Sequence, residues 1–233
     1  MTGNSQFGTG HGEWVEIVPT AFHLPSPVVV LGTVDEAGTP DLSTMSALGV
    51  VCIQPALVCI GIKPTRTAYR NIRRDGRFSI SVIDTSDLAP ADVLGTRKLR
   101  LDPDKLERAA VSWAIDDDKL PYVATAPIAM TGEVRSDLGR RELGLDGAPS
   151  HRIVIGEITR SMARRDLVRD GEVLMEEISL PIYLNRLYAR TSGEVLGIQR
   201  FTDDPAVRDE KMRLYGRFRT YDTPASDGSG NPS

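Results

Sequence analysis

The chain has 233 residues, a formal charge of −4 from 28 basic and 32 acidic side chains, and 40% hydrophobic residues, which describes a soluble globular protein able to bury one large core. No apolar run approaches the roughly 20 residues that cross a bilayer, the N-terminal residues lack the cationic and apolar regions of a secretory signal, and the charge balance lacks the basic excess of a nucleic-acid binder. A cytoplasmic protein is expected, with neither membrane nor nucleic acid as partner.

Residues 1–12 are rich in Gly, Ser and Asn, and residues 221–233 have the composition of a disordered tail, so the sequence predicts a single domain over 13–220. Residues 27–34 are β-branched and run into an Asp-Glu-Ala-Gly turn, predicting a hairpin with 40–47. Further strands are expected at 49–53 and 56–62, with Gln54-Pro55 as the bend between them. Over 67–75 the period changes: Ala68, Tyr69 and Ile72 share a helical face, threonines precede it, and Gly76 stands where a helix-ending glycine belongs.

Strand alternation returns at 78–83. The segment 84–120 is polar and punctuated by Asp, Pro and Gly, and reads as an excursion from the core with short helices at 87–94 and 104–111. Later strands are expected at 128–135, 151–159, 172–177 and 182–189, and a last helix from Asp204-Pro205 to Gly216. Many closely spaced strands, few helices and no strand–helix alternation predict a mainly β protein built as a closed or nearly closed antiparallel barrel. The two cysteines, Cys52 and Cys59, match neither a disulfide framework nor a zinc or redox spacing, and are expected as buried free thiols.

One segment breaks the overall charge balance. Residues 63–77 hold Lys63, Arg66, Arg70, Arg73, Arg74 and Arg77 against the single acid Asp75, a local charge of +5. At a strand-to-helix junction, free backbone N–H groups and the positive end of the helix dipole point to one place. Lys63, Thr65, Arg66 and Thr67 there can cradle a phosphate. The alternative is that a threonine caps the helix and the arginines form a solvated face, and this is the reading preferred for Arg70, Arg73, Arg74 and Arg77.

The run Leu42-Ser-Thr-Met-Ser-Ala47 places hydroxyls in a core strand, where they need partners. Either they bond to backbone, or the strand edge presents N–H and O–H groups to a polar heterocycle. Histidine is scarce: His11, His23 and His151. No Gly-x-Ser-x-Gly elbow, no metal-ligand spacing and no Gly-rich dinucleotide fingerprint is present, and Asp116-Asp117-Asp118 reads as a solvated loop.

Pro27–Val–Val–Val–Leu–Gly–Thr–Val onward through Leu42-Ser-Thr-Met-Ser, then Gln-Pro-Ala-Leu-Val-Cys-Ile-Gly-Ile, Arg-Thr-Ala-Tyr-Arg-Asn-Ile and Gly-Arg-Phe-Ser-Ile-Ser-Val, with the later His151-Arg-Ile-Val-Ile-Gly-Glu-Ile, resembles the flavin reductase-like family of FMN-binding split barrels. The match is close over 27–83 and 151–158 and looser over 128–201. The resemblance implies a six-stranded Greek-key split barrel that dimerises, with FMN near the dimer interface and FAD as the other possible flavin. It implies that Ser43, Thr44, Met45, Ser46 and Ala47 line the isoalloxazine and ribityl chain, that Lys63, Thr65, Arg66 and Thr67 hold the phosphate with Asn71 supporting that loop, and that His151 faces the flavin where a nicotinamide stacks. A strand-end histidine with an orienting role is the alternative for His151. The chain departs from the family pattern at Ala47-Leu48, where an aromatic is usual, at Asp41 in place of Asn, and at Gln54-Pro55-Ala56 in place of a double proline.

The expected activity is hydride transfer from NAD(P)H to flavin and on to a small acceptor, chemistry that belongs to the cofactor and needs no acid–base pair. A flavin-binding electron carrier without nicotinamide activity, and a flavin-free member of the fold, are the competing readings.

Overall fold

The computed structural model describes residues 24–96, 102–169 and 171–192, with Glu16 and Val18; the expected terminal segments and the helix at 204–216 lie outside the described residues. All of the described residues fall within one compact unit, residues 1–193.

A short strand β1 (Ser26–Pro27) leads to β2 (Val29–Val34), which turns into β3 (Pro40–Met45). Asp35 makes the turn: its Oδ1 accepts the N–H groups of Ala37 at 2.9 Å and Thr39 at 2.7 Å. β4 (Leu48–Cys52) and β5 (Leu57–Ile62) form the next hairpin, with the Gln54–Pro55 peptide cis in the bend. Then come α1 (Thr67–Asp75) and β6 (Arg77–Val82). α1 has the bounds its period predicts. Gly76 closes it at φ 67, donating its N–H to Ile72 O at 2.8 Å, a left-handed cap that favours glycine.

The excursion contains α2 (Leu88–Thr96), α3 (Lys105–Ala109) and a hairpin of β7 (Trp113–Ile115) and β8 (Pro121–Val123). The chain re-enters the sheet with the long strands β9 (Ile128–Leu138) and β10 (Arg152–Ala163). A small ribbon follows, β11 (Val168–Arg169) with β12 (Glu172–Val173), and then β13 (Pro181–Leu184) and β14 (Leu187–Arg190), which form a three-stranded antiparallel sheet in the order β1-β13-β14. The strand expected at 172–177 is thus only two residues before a one-turn 3-10 helix, Met175–Glu177. That expected at 182–189 is a hairpin, turned by Asn185 and Arg186 at φ 42 and 80. The β7–β8 hairpin was not anticipated, since three-residue strands are too short to show alternation.

The main sheet is antiparallel in the order β3-β2-β6-β9-β10-β5-β4, seven strands where the resemblance implied six. The bend at Gln54–Pro55 sets β4 apart as an edge strand on β5. Both faces of β2 are buried, and each face serves its own core. Val29 and Leu31 pack with Val58, Ile60, Phe78, Ile80, Val154 and the Ala68–Tyr69–Ile72 face of α1. Val28 and Val30 pack with Leu42 and Ile83 beneath Ala91 and Leu94 of α2 and Ala109 of α3. The excursion therefore covers the second face of the sheet, and burial on both faces explains why 28–31 is continuously apolar rather than alternating.

Phe78 is fully buried and determines a glycine on β10. A Cβ at Gly156 would stand 2.3 Å from the Phe78 ring, so the Gly156-Glu157 pair in the family-like strand is fixed by packing. The cysteines differ from expectation. Cys52 and Cys59 are free but only half-buried, because they lie on the edge hairpin rather than in the centre of the sheet.

Candidate functional site

Three segments meet at one end of the sheet. β3 pairs on one side with β2 in the register Leu31↔Ser43, Val30↔Thr44 and Val29↔Met45, and among the described residues it is an edge strand with no strand on its other side. The chain turns through Ser46 and Ala47, and the Ala47 carbonyl accepts the Gly61 N–H at 2.7 Å, tying this corner to β5. β5 ends at Ile62, and Lys63–Arg66 form one turn, closed by the Arg66 N–H on Lys63 O at 3.0 Å, before α1 begins. Pairing of β5 with β10 sets Arg152 opposite Ile62, and continuing that register sets His151 opposite Lys63.

The result is a cavity of about 200 Å3 walled by residues 43–47, Lys63, Arg66 and His151 and floored by Gly61, Ile62 and Ala68. Its charged end is the N-terminus of α1. Arg66 sits at the N-cap in extended backbone (φ −75, ψ 146), its side chain makes no cap, and the first turn holds no acid. The first-turn N–H groups, the positive end of the helix dipole and two cationic side chains therefore converge without an internal anion, an arrangement chemically able to hold a phosphate.

The excursion sets two of these side chains. Arg66 Nη1 donates to Gly95 O at 2.9 Å, and Thr44 Oγ1 donates to Ala91 O, so two carbonyls one turn apart on α2 hold one residue from each wall. His151 is half-buried, with Nδ1 2.9 Å from Ser150 Oγ. Burial, and then the charges of Lys63 and Arg66, push its imidazole below the ordinary value, which keeps the ring neutral at pH 7. The strand entry beside it is clamped: Arg152 Nε donates to Asp137 Oδ1 at 2.8 Å and Arg152 Nη2 to Asp137 O at 2.9 Å, while Tyr69 Oη of α1 donates to Asp137 Oδ2 at 2.8 Å.

Ser43, Thr44, Met45, Ser46, Ala47, Lys63, Arg66 and His151, which the sequence singled out, line this one cavity. Thr65 is exposed in the turn and outside the lining. Thr67 and Asn71 stand on the other side of α1, where they line a separate cleft. Asn71 is buried and its Nδ2 donates to Thr33 Oγ1 at 3.0 Å, bracing α1 against β2, while Thr67 Oγ1 is buried without a hydrogen-bond partner. Sequence reading missed the α2 carbonyls, because a backbone acceptor leaves no mark in residue identity. Gly61 did leave one: a Cβ there would come 3.0 Å from that of Ala47.

The acidic run divides. Asp116 is buried and closes the β7–β8 turn, accepting the Leu120 N–H at 2.8 Å, whereas Asp117 is exposed and pairs with Arg160 at 2.9 Å. Among the described residues no group of three His, Cys, Asp or Glu is placed to hold a metal ion, and no helix is long and apolar enough to cross a membrane.

Comparison with known proteins decides the family. The model of the flavin reductase like domain matches residues 21–190. The chain belongs to this family. Flavoredoxin of Desulfovibrio vulgaris (Miyazaki F) is 19% identical with a TM-score of 0.69, covering 83% of this chain and 99% of its own. An FMN-binding protein from Thermus thermophilus, solved with bound 1-cyclohex-2-enone, is 16% identical at 0.64, covering 82% and 100%. A Streptomyces globisporus NADH:FAD oxidoreductase is 15% identical at 0.56, covering 72% and 87%. At these identities the structures establish a shared split-barrel fold. Within this flavin reductase like chain, the ordered motifs of 27–83 and the His151–Ile158 segment fall on the strands and helix that build the cavity.

Proposed function

We propose that the protein is an FMN-binding oxidoreductase that takes a hydride from NAD(P)H and passes electrons on to a small acceptor. The observation that carries this reading is the convergence of the free β3 edge, the uncapped N-terminus of α1 with Lys63 and Arg66, and His151 on one cavity. The residues suit FMN at both ends. Lys63, Arg66 and the first-turn N–H groups neutralise a phosphate dianion, and the 43–47 edge offers backbone and hydroxyl groups to the polar rim of a flavin ring. When bound, the flavin supplies hydride acceptance and onward electron transfer. The protein's part is to orient the ring on β3, to hold Arg66 and Thr44 in place through Gly95 and Ala91, and to set His151 at the nicotinamide side.

A cavity of about 200 Å3 lies below the roughly 300 Å3 at which small-molecule pockets begin. Part of the ring must therefore be covered from outside. β4 adjoins the site through the 46–47 corner, and the hairpin it begins presents Val50, Val51 and Ile53 at 73%, 55% and 64% exposure, which suits a second copy of the chain closing the site. Sedimentation should show a dimer, and Val50→Glu with Ile53→Glu should give monomers with weakened flavin binding.

The deciding experiment is the visible spectrum after reconstitution with FMN, followed by stopped-flow mixing with NADH and NADPH. A flavin spectrum that bleaches rapidly supports the reductase. Absence of a flavin spectrum overturns the reading altogether, and a bound flavin that does not bleach replaces it with an electron carrier reduced by another protein.

A further inference from the structure

His151 stands just before β10, at the end of the largely exposed connection that runs from Gly139 to Ser150. A side chain at such a junction shares the freedom of the loop unless something fixes the strand end. Asp137, near the end of β9, does so from the facing strand. Its Oδ1 accepts Arg152 Nε at 2.8 Å and its main-chain carbonyl accepts Arg152 Nη2 at 2.9 Å, so the guanidinium of the residue after His151 is gripped at two points. Gly139 leaves room for that grip: a Cβ there would stand 1.8 Å from Arg152 Nη1, and the Gly139 N–H is itself held by Glu142 Oε2 at 2.7 Å.

The other carboxylate oxygen serves a different element. Asp137 Oδ2 accepts the hydroxyl of Tyr69 at 2.8 Å, and Arg73, one turn further along α1, lies over the Tyr69 ring and 3.9 Å from the same oxygen. Tyr69 is buried and directly follows Ala68, which floors the cavity. α1 is also the helix that begins at Arg66, on the cationic side of that cavity. One carboxylate therefore joins the helix at the cationic end of the cavity to the strand whose entry carries the imidazole. The ion pair is part-exposed and adds little stability by itself. Its worth lies in geometry, because an arginine fork and a tyrosine hydroxyl on the two oxygens of one carboxylate fix the placement of the β10 entry relative to α1.

We propose that Asp137 is a positioning residue: by holding Arg152 and Tyr69 together it fixes the His151 imidazole in place against the start of α1. The proposal rests on the flavin reading only for what His151 then does, which is to meet the nicotinamide. The test uses the full chain with Asp137→Glu and Arg152→Lys, which keep each charge but cannot reproduce the two-point grip, and Tyr69→Phe, which removes one hydroxyl and serves where the other two fail to fold. Every variant conserves charge, so a change at His151 reports its placement. The chain has three histidines, and the His151 ring resonance is assigned by its loss in His151→Gln. Without flavin, that ring in the wild-type protein titrates below the ordinary value, under burial and the charges of Lys63 and Arg66. In Asp137→Glu and Arg152→Lys, and less far in Tyr69→Phe, the midpoint should rise toward about 6.5 and the resonance move to that of a solvated ring. With FMN, the variants should keep flavin affinity within about threefold while bleaching at saturating NADH slows by about tenfold or more. An unmoved His151 midpoint overturns the proposal, even where the variants lower the melting temperature. A midpoint that moves while bleaching is unchanged supports the positioning of the ring and overturns the nicotinamide role of His151. Wild-type protein that binds no FMN overturns the flavin reading, and the titration of the ring still decides what Asp137 does.

Discussion

Lys105 and Asp41 are both fully buried, with Nζ 2.5 Å from Oδ1, and this pair pins α3 of the excursion to β3. At an effective dielectric near 20 the attraction at that distance is about 7 kcal/mol, and desolvation of two ions costs several kcal/mol each, so the intact pair adds little net stability. Breaking it is a different matter. Lys105→Met keeps the aliphatic stem but leaves the Asp41 carboxylate buried with no cation, and Asp41 Oδ2 already lacks a partner. The expected cost is about 3–5 kcal/mol, a large part of the 5–15 kcal/mol typical of a domain. Guanidinium unfolding followed by far-UV circular dichroism measures it. Asp41→Leu combined with Lys105→Met should recover most of the loss, because an apolar pair needs no compensation. A single-variant loss under about 1 kcal/mol, or a double variant as unstable as the single, refutes the argument, since it would mean that water already reaches the carboxylate. α3 packs with α2, whose carbonyls hold Thr44 and Arg66, so the single variant should also bind flavin more weakly.

Lys63→Ala with Arg66→Ala should weaken FMN by tenfold or more and riboflavin by far less, read by fluorescence titration; equal losses would show that this turn does not recognise phosphate. His151 has a depressed pKa in the ligand-free fold, so its contribution to stability is full above about 6.5, the unfolded value, and falls as pH drops toward the lowered folded value. A bound dianion beside it favours the imidazolium, so FMN binding should take up a proton and tighten as pH falls toward the lowered value of the ligand-free His151, a trend absent in His151→Gln and with riboflavin. Gly156→Ala should cost about 1–3 kcal/mol in thermal or denaturant unfolding, since the new methyl meets the buried Phe78 ring. Gly156→Ala combined with Phe78→Leu should be less destabilised than the sum of the two changes.

What could be read from the sequence were features whose signal is local. α1 announced itself through three apolar residues at helical spacing and one glycine in its closing position, and the structure reproduces both ends. The β2–β3 hairpin was equally plain, because Asp35 and Gly38 carry the turn chemistry in their side chain and backbone freedom. Asn71 shows the limit. The family resemblance implied that it supports a phosphate loop, but on a helix a residue four positions beyond Thr67 shares the face of Thr67 and not that of Arg66, and that face looks toward β2. The excursion was opaque for a related reason. Its order depends on long-range partners, Lys105 with Asp41 and the α2 carbonyls with Thr44 and Arg66, which no periodicity within 84–120 can reveal.

The +5 segment shows how a local charge becomes a site. Arg73 reaches Asp137 at 3.9 Å and lies over the Tyr69 ring, Arg74 is committed to Asp75, and Arg77 donates to Asp118 O at 3.3 Å. These three arginines brace α1 and the start of β6 against their surroundings. Lys63 and Arg66 remain at the first cavity and Arg70 at the second cleft, on opposite sides of one helix start. A chain with a formal charge of −4 can thus concentrate cationic side chains at the one helix end where the proposed phosphate would sit.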